Sequence, residues 1–139
     1  MFPDRLIVPE ELGVEESTAG TTAVTFRVRL PWYRALPMDG LHLSGIAFDG
    51  RPVGPGQLDV EIDGAWMPYE KVAGLRDAWW FVLDPLRVRI RDLQQVAEGE
   101  HEVTATVGAR VPYIVLGTKA LVITETLTRA LPRSTRSAA

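Results

Sequence analysis

The chain has 139 residues, of which 46% are hydrophobic and 24% charged, and a formal net charge of −3. This length suits one domain with a real core, and the acidic balance argues against nucleic acid as a partner. The lack of cysteine excludes disulfides and thiolate chemistry. No apolar run is long enough for a membrane helix or typical of a signal peptide, so we expect a cytoplasmic protein without membrane contact.

The first half of the chain alternates apolar and polar residues in short runs separated by turn signals. Residues 24–30 have the period-2 pattern of a half-buried strand, which ends at Pro31 because proline cannot donate to a sheet. Gly45 interrupts the next strand at a change of phase and predicts a β-bulge. Aspartate–glycine pairs at 49–50 and 63–64 predict tight hairpins.

The second half continues the same pattern. Strands are predicted over residues 78–83, 86–90, 100–113 and 120–127, and residues 69–74 are long enough for one helical turn. Nine or ten short strands without a convincing helix predict an all-β fold, an antiparallel, jelly-roll-like β-sandwich. We expect one domain over residues 1–130 and a disordered tail over residues 131–139.

The sequence lacks the residue patterns that build active sites. Its two histidines, His42 and His101, stand alone, and no histidine spacing suits a metal. No glycine-rich phosphate loop and no nucleophile elbow is present. We therefore predict no catalytic residue and no metal site on this chain.

Two rows of charge lie on predicted strands. Asp59, Glu61 and Asp63 form one row, and Arg87, Arg89 and Arg91 form the other. Paired carboxylates can act as acid and base, but outward positions of an amphipathic strand explain both rows more simply. If the two strands are neighbours, the rows pair with each other, which contributes little at a surface.

Aromatic residues are the unusual feature, with four tryptophans in a short chain. Adjacent strand residues point to opposite faces, so one of Trp79 and Trp80 belongs to the core and the other needs a second apolar surface. Tryptophan, tyrosine and arginine are enriched in interface hot spots. The predicted contacts with a protein partner are Trp32, Tyr33, Arg34, Trp79, Trp80 and Tyr113.

The segment F-R-V-R-L-P-W-Y-R-A-L-P at residues 26–37 resembles the signature of the small (β) subunit of bacterial C-glycoside deglycosidases. That signature reads F-x-V-R-[IL]-P-[WY]-Y-R-[GSA]-[IL]-P. Weaker matches follow at residues 46–53, 76–81, 96–103 and 111–113, so the resemblance covers residues 5–128.

The resemblance implies an accessory subunit. Members pair with a catalytic α subunit that resembles a xylose-isomerase-like TIM barrel and carries a divalent metal, commonly manganese. Its substrates are C-glycosides of polyphenols, flavonoids among them, already oxidised to the 3-oxo sugar. The ketone acidifies the C2 proton, a histidine base of the α subunit removes it, and elimination breaks the carbon–carbon bond to the aglycone. The β subunit stabilises the complex, and a higher heteromer is expected.

Two other classes of function stay open from the residues alone. The aromatic residues also suit a stand-alone carbohydrate-binding module, in which tryptophans stack on sugar rings. An independent small enzyme that uses Asp59, Glu61 or His101 is the third possibility.

Overall fold

The computed structural model describes residues 6–16, 20–32, 34–75, 78–81, 83–94 and 96–133. Within these ranges the chain forms eleven strands and three short 3₁₀ helices. The strands are β1 (Gly13–Glu16), β2 (Thr22–Val28), β3 (Leu36–Pro37), β4 (Leu41–Phe48), β5 (Arg51–Pro52), β6 (Leu58–Ile62), β7 (Ala65–Pro68), β8 (Trp79–Trp80), β9 (Leu86–Leu93), β10 (Gly99–Leu116) and β11 (Lys119–Arg133). The 3₁₀ helices span Met38–Gly40, Pro55–Gln57 and Tyr69–Gly74.

Antiparallel pairing joins the strands into two main sheets. One has the order β1-β2-β9-β6-β7 and the other the order β11-β10-β4-β5, while β3 and β8 form a small separate pair. Alternate side chains of both sheets fill one hydrophobic core, because successive strand residues point to opposite faces. Phe26 and Val88 contribute from the first sheet, and Leu43 and Val107 from the second. The predicted all-β antiparallel fold is confirmed.

The local signals at glycines are confirmed as well. The β4–β5 turn has positive φ at Asp49 (51°) and Gly50 (78°), and the β6–β7 turn repeats this at Asp63 (53°) and Gly64 (79°). Positive φ at both central residues is the geometry that Asp-Gly favours in two-residue hairpins. Gly45 has φ 57° where the β4–β10 register shifts, which is the predicted bulge.

Three strand predictions need correction. The apolar–polar pattern predicts no strand in the polar segment 10–20, but this segment contains β1, because its backbone pairs with β2. The predicted strand at 78–83 keeps only β8. The last strand continues past Leu127 to Arg133, and Leu131 is buried, so residues 131–133 of the predicted tail belong to β11. Residues 134–139 lie outside the described residues.

Candidate partner-binding end

Two of the predicted contact residues meet in the fold. Trp32 lies in the loop after β2, and Tyr113 lies near the end of β10. The indole Nε1 of Trp32 donates a hydrogen bond to the hydroxyl oxygen of Tyr113 over 2.6 Å. Trp32 also packs against the edge of the core, whereas Tyr113 is 51% exposed. The bond fixes an aromatic pair at one end of the sandwich.

The β3–β8 pair belongs to the same end. Pro37 of β3 lies opposite Trp79 of β8, and the amide of Met38 donates to the carbonyl oxygen of Ala78. The strand β3 also contacts β10, and Asp39 forms an ion pair with Arg110 of β10. These contacts hold β8 beside the end of β10 that carries Tyr113.

The two adjacent tryptophans of β8 separate as predicted. Trp80 is 3% exposed and donates a hydrogen bond to the carbonyl oxygen of Asp84, so it is the core residue. Trp79 is 52% exposed on the opposite face. Trp80 is therefore removed from the predicted contact surface, and Trp79 stays on it.

The hairpin of β10 and β11 extends beyond the rest of its sheet. The pairing of β10 with β4 ends at Ala109, whereas its pairing with β11 continues to Leu116. Near the tip of this hairpin, the residues Val115, Leu116 and Val122 are each at least 48% exposed. A two-stranded ribbon is marginally stable in water without an apolar cover. The extension therefore favours contact between the end of this hairpin and another protein surface.

Large exposed apolar side chains gather at this end. Val28 at the end of β2 pairs with Leu86 at the start of β9, so the loop with Trp32 and the turn before β9 lie together. That turn exposes Phe81 and Leu83. We call the following set, in which Trp32 is half-buried and the others are exposed, the apolar end: Trp32, Trp79, Phe81, Leu83, Tyr113, Val115, Leu116 and Val122. Exposed apolar patches of this kind mark interaction sites on soluble proteins.

The other predicted contact residues are placed only in part. Arg34 is exposed in the loop after Trp32, and Tyr33 lies outside the described residues. Phe81, Leu83, Val115, Leu116 and Val122 are not among the contact residues that the sequence predicts. The sequence signal that points to the hairpin residues is the apolar run on both sides of the turn at Gly117.

The charged rows form a network on the outer face of the five-stranded sheet. Asp59 lies opposite Arg89, and its Oδ2 is 2.8 Å from guanidinium nitrogens of both Arg89 and Arg91. Glu61 pairs with Arg87 at 3.1 Å. The predicted pairing of the two rows is confirmed for Asp59 and Glu61, whereas Asp63 lies in the β6–β7 turn. Asp59, however, is 4% exposed and not solvated, because these cations cover it.

Trp66 adds an aromatic ring to that network. The guanidinium carbons of Arg89 and Arg87 lie 4.4 and 5.1 Å from its ring centre. Cation–π contacts of this kind stabilise exposed arginines. The network ties β6 to β9 on the outer face of the sheet.

His101 joins the β4–β5 turn to β10 at the opposite end of the sandwich. Its Nδ1 lies 2.6 Å from Oδ2 of Asp49, its Nε2 lies 2.5 Å from the carbonyl oxygen of Ala97, and its ring stacks on Phe48. Because both nitrogens face acceptors, the protonated ring satisfies both contacts. Burial opposes the charge, but the two hydrogen bonds and the Asp49 carboxylate outweigh it and raise the pKa of His101.

The pKa of Asp49 moves in the complementary direction. Burial alone favours the neutral acid, but hydrogen bonds from His101 and from the backbone N–H of Glu102 lower the pKa of the Asp49 carboxyl below its usual value. The two groups therefore form an ion pair that fixes the turn. The contacts within the turn account for both pKa shifts without a bound substrate.

Metal-ligating residues do not cluster in the described part of the chain, where no group of three or more histidine, aspartate or glutamate side chains is placed to hold an ion. Among the same residues, no helix combines the length and the apolar character that crossing a membrane requires.

Comparison with known proteins agrees with the resemblance. The family model described as C-glycoside deglycosidase beta subunit matches residues 2–113. A "3'-dehydrocarminate deglycosidase beta subunit" of Microbacterium sp. is 41% identical over 91% of both chains. C-glycoside deglycosidase beta subunits of Microbacterium trichothecenolyticum and Arthrobacter globiformis are 36% and 32% identical, over 94% and 83% of this chain and 96% and 84% of their own. The chain belongs to the family of C-glycoside deglycosidase β subunits.

Proposed function

We propose that this chain is the non-catalytic β subunit of a heteromeric C-glycoside deglycosidase and that its apolar end binds the catalytic α subunit. The observation that carries the proposal is the convergence of three chain segments there: the loop after β2, the β8 region and the tip of the β10–β11 hairpin. Each brings aromatic side chains, which dominate interface energies, and the β8 region and the hairpin add exposed aliphatic side chains.

The α subunit supplies the chemistry in this proposal. We expect a TIM barrel of the xylose-isomerase type with a divalent metal, which an assay supplies as manganese. The substrate is a 3-oxo-C-glycoside of a polyphenol, consistent with the dehydrogenated substrate in the name of the relative at 41% identity. Loss of the acidified C2 proton and transfer of the C1 bond electrons to the aglycone carbon, which takes up a proton, complete the elimination.

The contribution of this chain is to preorganise its partner. The apolar end rests on a rigid sandwich, and the Trp32–Tyr113 bond holds two of its rings in place before binding. A rigid surface loses little conformational entropy when it binds. Loops of the α subunit that pack on it are thereby held in the arrangement that the reaction needs.

The test is co-expression of this chain, tagged, with the neighbouring reading frame of its genome. The proposal predicts that an untagged sugar-isomerase-like protein is purified with it. It also predicts that the pair cleaves a 3-oxo-C-glucoside in the presence of manganese, whereas neither chain does so alone. If the tagged chain purifies alone and a free sugar quenches its tryptophan fluorescence, a carbohydrate-binding module replaces the proposal. Turnover by the isolated chain would make it an independent enzyme.

A further inference from the structure

The outer edge of β11 is long, regular and without a strand beside it in the described part of the chain. β11 spans Lys119–Arg133 and pairs on its other side with β10, in one unbroken register from Arg133 back to Leu121. Its outer edge is covered near one end, where the amide of Leu12 donates to the carbonyl oxygen of Pro132. Open edges of this length pair readily with another strand.

The Leu12 contact shows which residues of β11 face outward. The carbonyl of Pro132 points away from β10, and in a regular strand the backbone groups of every second residue point to the same side. The amides and carbonyls of Thr124, Thr126, Thr128 and Ala130 therefore point to the open edge. None of these four is proline, and all have short side chains that let a second strand approach.

The face of β11 toward the core carries two opposite charges. Glu125 and Arg129 are half-buried on this face, and Leu127 lies between them. Charged residues that point inward normally protect an edge, because pairing would bury them opposite neutral side chains. The two charges therefore restrict which strand, and which register, the edge accepts.

One symmetric register places opposite charges across from each other. If a second copy of β11 pairs antiparallel about a two-fold axis at Leu127, Glu125 of each copy lies opposite Arg129 of the other. In the same register Thr126 lies opposite Thr128, and Thr124 lies opposite Ala130. Each of these residues, whose amide and carbonyl point to the open edge, therefore faces another residue of the same kind. Shifting the axis to Thr126 or Thr128 places both charges opposite leucine or isoleucine, and shifting it to Glu125 or Arg129 brings like charges together.

We propose that the chain forms a symmetric dimer through β11, with the axis at Leu127. The four outward residues of each copy then exchange about eight backbone hydrogen bonds, and the two four-stranded sheets become one continuous sheet. Because the strands are antiparallel, the two apolar ends point in opposite directions. In this register Val122 lies opposite Pro132 of the other copy, and the other residues of each apolar end lie outside the paired stretch, so the dimer is compatible with a catalytic subunit on each side.

Two single charge reversals and their mixture test this dimer. In a homodimer, Glu125→Arg places two arginines opposite each other, and Arg129→Glu places two glutamates opposite each other. In a 1:1 mixture, each heterodimer has opposite charges at both sites. The unchanged Arg129 of one chain lies opposite the unchanged Glu125 of the other, and the two introduced residues, arginine at 125 and glutamate at 129, also lie opposite each other. By sedimentation across a concentration series, we expect a wild-type dimer, at least a tenfold weaker dimer for each variant alone, and recovery in the mixture. Glu70→Arg, an exposed reversal in a 3₁₀ helix, is the control and dimerises like the wild type.

Recovery in the mixture also shows that both variants are folded. The proposal is overturned if the isolated wild-type chain stays monomeric at all concentrations and the purified complex contains only one copy of it. So does a dimer that all variants form equally well. Neither result bears on the apolar end, so failure of this proposal is distinguishable from failure of the proposed function. As an independent readout, the amides of Thr124, Thr126, Thr128 and Ala130 exchange more slowly with deuterium as the dimer forms.

Discussion

The indole nitrogen of Trp32 donates a hydrogen bond to the hydroxyl oxygen of Tyr113 over 2.6 Å, although 81 positions separate the two residues in the chain. The bond connects the loop after β2 to the extension of β10, and so links elements of the two main sheets at the same end of the sandwich. It orients two large side chains whose outer surfaces are open for a partner.

Trp32→Ala is predicted to weaken binding of the catalytic subunit by about 2 kcal/mol or more, because it removes a large ring from the centre of the proposed interface. Tyr113→Phe removes the hydrogen bond and keeps the ring, with an expected loss of about 1 kcal/mol. Titration calorimetry of the two subunits measures both effects. Equal affinity for the wild type and Trp32→Ala removes Trp32 from the interface.

Val122→Asp is predicted to reduce assembly at least as strongly, since it places a charge on the hairpin tip where the partner would exclude water. The matched control is Gln94→Asp, which adds the same charge at an exposed position beyond β9, at the opposite end of the sandwich. Co-purification yield and calorimetry give the comparison. If both variants assemble alike, the tip of the hairpin does not contact the partner.

The His101–Asp49 pair predicts a pH-dependent contribution to folding. The raised pKa of His101 means that its contribution is complete below the pKa of the unfolded histidine, about 6.5, and is lost as pH rises through the folded pKa. For Asp49 the pKa is lowered, so its contribution is present above the unfolded pKa of about 3.9 and is lost as pH falls through the folded value.

Between those limits the pair stabilises the fold most. The difference in unfolding free energy between the wild type and His101→Gln should therefore be larger at about pH 5.5 than at about pH 9. Urea titrations at both pH values measure it. A difference that is the same at both pH values contradicts an ionised pair.

Asp59→Asn is predicted to destabilise the chain by about 3 kcal/mol, because it leaves Arg89 and Arg91 without the buried carboxylate that neutralises them. Glu61→Gln is the matched control. Its pair with Arg87 is more exposed, so a loss of less than about 1 kcal/mol is expected. Assembled complexes of both variants should keep their turnover. A loss of turnover in folded, fully assembled Asp59→Asn would give the carboxylate a direct part in the reaction.

The features that the sequence predicts well are local. Asp-Gly turns and the bulge at Gly45 depend on the backbone preferences of one or two residues. The separation of Trp79 from Trp80 follows from strand periodicity, although periodicity does not say which of them is buried. That choice depends on Leu36 and Pro37, which pair with them from a distant part of the chain.

The features that the sequence does not predict depend on distant contacts. The meeting of Trp32 with Tyr113 needs the stacking of two sheets, which no local pattern encodes. The alternating pattern does not predict the extension of β11 to Arg133, because Arg129 occupies an inward position and Pro132 lacks a backbone N–H. An edge strand tolerates both, since one of its sides needs no hydrogen-bond donors.

The central claim is that a catalytic subunit covers the apolar end, and hydrogen–deuterium exchange of the free chain and of the purified complex tests it most directly. We expect the backbone around Trp79 and along residues 112–122 to exchange more slowly in the complex, while the turn at Asp49 and Gly50 at the opposite end exchanges at an unchanged rate. Protection elsewhere on the sandwich, with the apolar end exchanging as in the free chain, would contradict the account.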